Sequence, residues 1–300
     1  MRGETLSGRS SMEREWLFQA ARVGASIYRF NGLRIARRVF SHGSTHFLKR
    51  RFYGKTLHLN IDRGNPQKLL FLEGERFIEE REIVRRLVRP GLTAIDVGAN
   101  IGYYALMLAS FVGETGDVVC IEPDPDNLVE LSRNIQCNRM ANVAVLQAAA
   151  AADEGFAELR TGLNSHISAE CGDLTVKTIK LDRFAKKRVG FVKVDVEGYE
   201  LEVLRGARQL IAEQRPNLFV EVHPLHQSRT QVVELIQMLQ GYYPSTVAFL
   251  KRKLALPAEI ARRYFGLGGF DASPVDSGLA AHPDVFWIGC SREAGLWPVL

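Results

Sequence analysis

Two short stretches of the sequence concentrate side chains that can do chemistry. Lys193-Val194-Asp195-Val196-Glu197-Gly198-Tyr199-Glu200 places five charged or phenolic groups in eight positions, directly after the apolar Gly190-Phe191-Val192. Val220-Glu221-Val222-His223-Pro224 adds a carboxylate and an imidazole. Both runs begin apolar and end polar, the pattern of buried strands with reactive groups at their carboxyl tips. If the two strands are neighbours, two carboxylates and an imidazole converge, and such a group can take a proton from a hydroxyl. His223 is the first choice of base, with Asp195 or Glu197 next. The same three residues offer an alternative, a divalent metal that orients two hydroxyls. Each also has a structural reading: Asp195 as a helix N-cap, Glu200 as a solvated first-turn carboxylate, His223 as a half-buried strand end.

A third stretch supplies a ligand cradle. Thr93-Ala-Ile-Asp-Val97 is a β-branched and apolar run that ends in Gly98-Ala99-Asn100-Ile101-Gly102, and Tyr103 to Val112 follows as an apolar helix. Glycines let a backbone approach a ligand, and a helix start offers unpaired N–H groups. Asp96, two residues before Gly98, is expected at the mouth of this turn, within reach of an amino or cationic ligand group. The spacing is neither the G-x-G-x-x-G of dinucleotide sites nor the phosphate loop with its Gly-Lys-Ser/Thr ending. Glu122 follows Gly102 by twenty residues, the place of an acid that hydrogen-bonds ribose hydroxyls. Asn127 either helps hold the sugar or caps a helix. Gln147-Ala148-Ala149 either leaves room for a flat adenine ring or packs as ordinary alanine.

The elements that must position these residues alternate. Strands are expected over residues 93–97, 117–121, 143–147, 191–195, 216–222, 245–250 and 284–289. Helices are expected over 69–89, 103–112, 126–137, 199–214 and 230–240. Residues 156–160 and 174–179 read as a short meander, 56–61 as a further strand, and 256–282 as punctuated by Gly and Pro without an assignable element. Such alternation predicts an α/β fold, a doubly wound, mostly parallel seven-stranded sheet with helices on both faces. Ligands of such sheets lie beyond the carboxyl ends of the strands, at the switch point.

Charge is uneven along the 300 residues, whose net charge is +5. Before Leu57 twelve basic residues face three acidic ones, a net +9, which leaves −4 for the remainder. Glu13 to about Phe40 has the three- and four-residue apolar spacing of a helix with an arginine-rich polar face. It reads either as a peripheral contact with anionic lipid or an acidic partner, or as a helix with a solvated basic face. The organisation expected is therefore a basic helical extension over 1–55 and a catalytic domain over 56–300. No run of eighteen apolar residues predicts a membrane span, and the first thirty residues lack a clean signal-peptide core. Cys120, Cys137, Cys171 and Cys290 form no C-x-x-C pair and no zinc spacing, as in a reduced, cytoplasmic protein.

Asp96-x-Gly98-x-x-x-Gly102 at a strand end resembles motif I of the class I S-adenosylmethionine methyltransferases. Together with Glu122-Pro123, Leu181-Asp182-Arg183-Phe184, the Lys193–Glu200 run and Val203-Leu204-Arg205-Gly206-Ala207, it resembles the FkbM family of those enzymes, over roughly Leu70 to His223. The resemblance implies a Rossmann-like fold and O-methylation of a hydroxyl on a sugar, a lipid-linked oligosaccharide or a polyketide. It implies S-adenosylmethionine as cofactor, held by Asp96, Gly98, Asn100, Gly102, Glu122, Asn127 and Ala148. His166 would line the acceptor pocket or stand as a surface loop residue. The expected partner is a small-molecule or glycan acceptor, not a nucleic acid: no Asn/Asp-Pro-Pro-Tyr tetrad follows the fourth strand, and the basic residues lie outside the core domain. Two rivals are a nicotinamide-dependent oxidoreductase and an inert cofactor-binding or membrane-docking protein. The missing G-x-G-x-x-G argues against the first, and the retained strand-tip acids against the second.

Overall fold

A computed structural model gives the architecture. It describes residues 47–60, 63, 67, 70, 78–162, 165–168, 171–251, 270–282, 284–293 and 296–297. The basic helix expected over Glu13–Phe40 lies outside them, as does most of 69–77 of the helix expected over 69–89. The chain divides into two compact units, Met1–Ile78 with Lys253–Gly269, and Glu79–Arg252 with Phe270–Leu300.

In the first unit β1 (Phe47–Phe52) and β2 (Lys55–Asn60) pair antiparallel. The two-residue turn Tyr53-Gly54 has positive φ at both positions, 51° and 74°, as a tight hairpin with matching strand twist requires. The boundary expected between residues 55 and 56 falls just after the first residue of β2. The partner strand Phe-Leu-Lys-Arg-Arg-Phe had merged with the basic leader because its charges mask its alternation.

The second unit carries the remaining elements: α1 (Ile78–Leu87), β3 (Thr93–Val97), α2 (Tyr103–Val112), β4 (Val118–Ile121), α3 (Pro125–Cys137), β5 (Val143–Leu146), β6 (Ala149–Ala150), β7 (Gly155–Arg160), β8 (His166–Ser168), β9 (Leu174–Ile179), β10 (Val189–Val194), α4 (Glu200–Arg205), α5 (Arg208–Gln214), β11 (Asn217–Val222), α6 (Arg229–Tyr242), β12 (Ser245–Lys251), β13 (Phe270–Pro274) and β14 (Phe286–Ser291). One sheet runs β13-β12-β14-β11-β10-β3-β4-β5. The pairs β5–β4, β4–β3, β3–β10 and β10–β11 are parallel, whereas β14 is antiparallel to both β11 and β12. Every residue of β3, β4 and β10 is buried, which is why these strands read as unbroken apolar runs.

The sheet has eight strands among the described residues, not the seven expected. The extra one, β13, pairs antiparallel with β12 at the edge. Phe-Asp-Ala-Ser-Pro lacks strand patterning, and its proline is tolerated only at an edge. The expected meander is a separate four-stranded sheet, β6-β9-β7-β8, with Leu159, Ala149 and Val176 in its own small core.

The helix expected over 199–214 is two helices. A Cβ on Gly206 would lie 1.9 Å from the Ala151 carbonyl oxygen, so the chain passes that strand end only as glycine. The break is held by Asp182: its N–H donates to Gly206 O at 2.9 Å, and its Oδ1 accepts from Leu210 N at 2.9 Å. The Leu181-Asp182 and Arg205-Gly206-Ala207 segments are thus one structural knot.

From β3 the chain winds outward through β4 and β5, then returns to β10 and β11 on the other side. The winding direction therefore reverses between β3 and β10, where a crevice opens beyond the strand tips.

Candidate active site

The turn after β3 is built by protein contacts. Gly98 has φ 77°, and a Cβ there would lie 1.8 Å from Asp195 O. Gly102 has φ 94° and caps α2; its Cβ would meet Leu131 Cδ1 at 2.9 Å. Each glycine is thus required by a neighbouring segment of the chain. Asn100 also sits at positive φ, 48°. Its N–H donates to Glu122 Oε2 at 2.8 Å and its Oδ1 accepts from Ile101 N at 2.8 Å. Asn134, at 0% exposure, donates to Ile101 O at 2.8 Å and fixes the turn from α3.

Glu122 ends β4 and is 4% exposed. Its Oε1 accepts from Asp124 N at 3.1 Å and Asn127 Nδ2 at 3.2 Å. Burial raises its pKa against the opposing pull of the Asn100, Asn127 and Asp124 donors. Asp124 caps α3, accepting from Asp126 N and Asn127 N, and receives the Ser165 hydroxyl at 2.5 Å on its other oxygen. Asn127 thus supports the Glu122 carboxylate while Asp124 does the capping.

Around these groups opens a cleft. Gly98 and Asn100 line it from β3, Glu122 and Asn127 from β4 and α3, and Ala148 from beyond β5. Asp195, Glu197 and Tyr199 line it from beyond β10, and His166 from the small sheet.

Asp96 is placed differently from the expectation. It is 0% exposed and does not line the cleft; its Oδ1 faces Lys193 Nζ at 3.6 Å inside the sheet. Burial pushes its carboxyl up to about 6, with Lys193 opposing and Asp195 adding to the rise. Lys193 also donates to Asp195 Oδ2 at 3.1 Å and lies 4.3 Å from the centre of the Tyr104 ring. Burial works against its charge, but Asp195, Asp96 and Glu221 together hold the ammonium form.

The carboxyl tips of β10 and β11 do bring Asp195, Glu197 and His223 together. His223 Nε2 lies 3.4 Å from Glu197 Oε2, 3.7 Å from Glu221 Oε1 and 3.9 Å from Asp195 Oδ1. Its Nδ1 lies 2.9 Å from Glu200 Oε1; the carboxylate can only accept, so the ring donates. Burial works against a charged ring, but the Glu200 hydrogen bond and the charges of Asp195, Glu200 and Glu221 outweigh it, and the pKa rises to about 9. Burial raises Glu197 as well, and burial with Asp195 raises Glu221 to about 8, against a hydrogen bond from Trp287 Nε1.

Glu197 has φ 53° and Gly198 φ 102°, a left-handed pair that costs about 1–3 kcal/mol at a non-glycine position. His226 Nδ1 meets Glu197 O at 3.2 Å, and Gly198 N donates to Glu200 Oε1 at 2.9 Å, so the pair is fixed on both sides. A Cβ on Gly198 would lie 2.5 Å from His226 Cβ.

Sequence reasoning missed two members of this group. Glu200, at 0% exposure, carries His223 and accepts from Gln227 Nε2. Its signal was an acid directly before the apolar Leu201-Glu-Val-Leu face. Lys193 was visible only as one charge among several, although a lysine inside a buried strand needs carboxylate partners.

The eight-stranded sheet, mostly parallel, with its cleft at the β3/β10 switch point, is that of a Rossmann-like class I methyltransferase. The Methyltransferase FkbM domain matches residues 96–245, half of the chain, and the chain belongs to that family. The hexuronic acid methyltransferase AglP of Haloferax volcanii is 32% identical over 137 residues, 43% of this chain and 54% of that protein. A protein-L-isoaspartate O-methyltransferase of Methanothrix thermoacetophila is 37% identical over 60 residues, 20% of this chain and 28% of that protein. The chain thus spans about half or less of the curated relatives it matches. Among solved structures, the methyltransferase FkbM from Methylobacillus flagellatus KT is 22% identical with a TM-score of 0.41, over 62% of this chain and 49% of that one. M. jannaschii TYW2 in complex with AdoMet is 14% identical with a TM-score of 0.44, over 83% and 87%.

Proposed function

We propose that the chain transfers a methyl group from S-adenosylmethionine to a hydroxyl of a small molecule or glycan, a sugar acid being the class best matched. The observation that carries this reading is one cleft with two chemistries. Glu122, Asn127 and Ala148 suit a nucleoside on one wall, and Asp195 and Glu197 suit a hydroxyl on the other. The relative named as a hexuronic acid methyltransferase supports the sugar class.

The residues fit the cofactor by their donor set. Glu122 keeps acceptor capacity on Oε2 for a ribose hydroxyl beyond its three protein donors, and Ala148 leaves room for a ring. The Asn100 turn bounds the methionine side. When bound, the cofactor supplies a methyl activated on a sulfonium, the hard part of the chemistry. The protein positions the acceptor oxygen, excludes water and takes the hydroxyl proton. Glu197 and Asp195 are the groups placed for that proton, since both line the cleft and His223 does not. Asp195 is further tied to Lys193, so Glu197 takes the larger share. The four free cysteines accord with a reducing, cytoplasmic setting, and among the described residues no helix is long and apolar enough to cross a membrane.

The test is transfer of labelled methyl from S-adenosylmethionine to a panel of uronic acids and neutral sugars. Ether-linked label on a sugar supports the reading, and Glu197→Gln should slow it roughly 10²–10⁴-fold. Label on protein or nucleic acid alone would overturn the acceptor class.

A further inference from the structure

We propose that Asp195, Glu197 and His223 Nε2 form a binding site for a divalent first-row metal ion on the acceptor side of this cleft. The inference deepens the reading above and rests on it for what the ion would orient. The three donor atoms lie within 4.8 Å of one another. Donors bound about 2.0–2.2 Å from a common ion sit roughly 3–4 Å apart, the range in which Nε2 faces the oxygens of Glu197, Glu221 and Asp195. The grouping is more than a set of acids. His223 is 6% exposed, and its Nε2 makes no hydrogen bond among the described residues while aiming between three carboxylates.

The ring cannot turn away from that position. Nδ1 is held by Glu200, itself held by Gly198 N and Gln227 Nε2. A carboxylate on the far nitrogen of a ligating histidine is the usual second layer of a metal site. The oxygens are apportioned too. Lys193 takes Asp195 Oδ2, whereas Oδ1 is the atom facing His223. Glu197 meets only imidazoles, His223 and His226, and has no lysine or arginine partner among the described residues. One imidazole with two or three carboxylates lies between the all-oxygen sets of magnesium and the histidine-rich sets of zinc, and points to Mn²⁺. Glu197 can give the ion one oxygen and keep the other for the acceptor hydroxyl, while the second oxygen of Asp195 stays with Lys193.

The probe is Mn²⁺ alone, titrated into the full chain and read by electron paramagnetic resonance, with S-adenosylmethionine affinity measured separately. One Mn²⁺ per chain is expected, with nitrogen modulation in the spin echo. Asp195→Asn with Glu197→Gln should remove binding, His223→Gln should remove the nitrogen signal, and Glu200→Gln should weaken affinity roughly 10–100-fold. Retained S-adenosylmethionine binding in each variant shows that it is folded. No bound Mn²⁺ at millimolar concentration, or unchanged binding in the double variant, overturns the metal site. That outcome leaves the methyltransferase reading intact if S-adenosylmethionine still binds and its methyl is still transferred; loss of both in the wild type overturns that reading instead.

Discussion

The Glu122 carboxylate gathers donors from three segments, the Asn100 turn, the Asp124 backbone and the Asn127 side chain. Removing it would free the turn as well as the proposed ribose contact. Glu122→Ala is expected to weaken S-adenosylmethionine binding roughly 10–100-fold, the ~1.5–3 kcal/mol of hydrogen bonds to a charged group. Calorimetry with unchanged affinity would remove the ribose role. Lys193 and Asp96 form a second residue-scale unit, both buried in adjacent strands. Lys193→Met leaves Asp96 buried without its counter-ion and should cost about 3–5 kcal/mol, most of it restored by adding Asp96→Asn. The sign with pH follows from Asp96, whose pKa in the folded chain, about 6, lies above its ordinary value of 3.8. Its charge therefore costs stability as pH rises through about 4 to 6, and the single variant, with a still higher pKa, should lose more between pH 5 and pH 8. Urea denaturation at the two pH values reads both effects, and a flat profile would contradict them. The strand-tip acids were legible because charge breaks an apolar run. What Glu200 and Lys193 hold was not legible, because those partnerships join residues far apart in sequence.

At the scale of elements, glycine positions separate requirement from habit. Gly206→Ala would drive a Cβ into the Ala151 carbonyl and should destabilise by at least about 1–3 kcal/mol. Gly241, inside α6 with nothing within 4 Å of an added Cβ, should gain about 0.5–1 kcal/mol as alanine. Thermal melts of the two variants should move in opposite directions, and equal shifts would contradict the packing described at Gly206. The buried parallel strands were legible from their unbroken apolar runs. The split between α4 and α5 was not, because a close backbone approach leaves no periodicity to read. Nor was β13, a mostly polar edge strand that needs no apolar face.

At the scale of the molecule, the reversal of winding between β3 and β10 decides where the functional residues meet. Glu122 comes from the tip of β4, and Asp195 and Glu197 from the tip of β10; they share one cleft only because β4 and β10 flank β3 on opposite sides. The alternation of strands and helices made that architecture legible, whereas the division into two units was not. The leader supplies a separate prediction. If its +9 net charge before Leu57 docks on anionic lipid, deleting Met1–Phe40 should leave S-adenosylmethionine binding unchanged and lower co-sedimentation with phosphatidylserine vesicles. Equal sedimentation would assign it to a solvated basic face.

Calorimetric titration of the full chain with S-adenosylmethionine, beside a parallel titration with NAD, tests the central claim most directly. One molar equivalent of S-adenosylmethionine should bind, with affinity falling in Glu122→Ala, and NAD should give no binding heat. Absence of S-adenosylmethionine binding by the folded wild-type chain, or equal affinity for NAD, would contradict the assignment of the β3/β10 cleft.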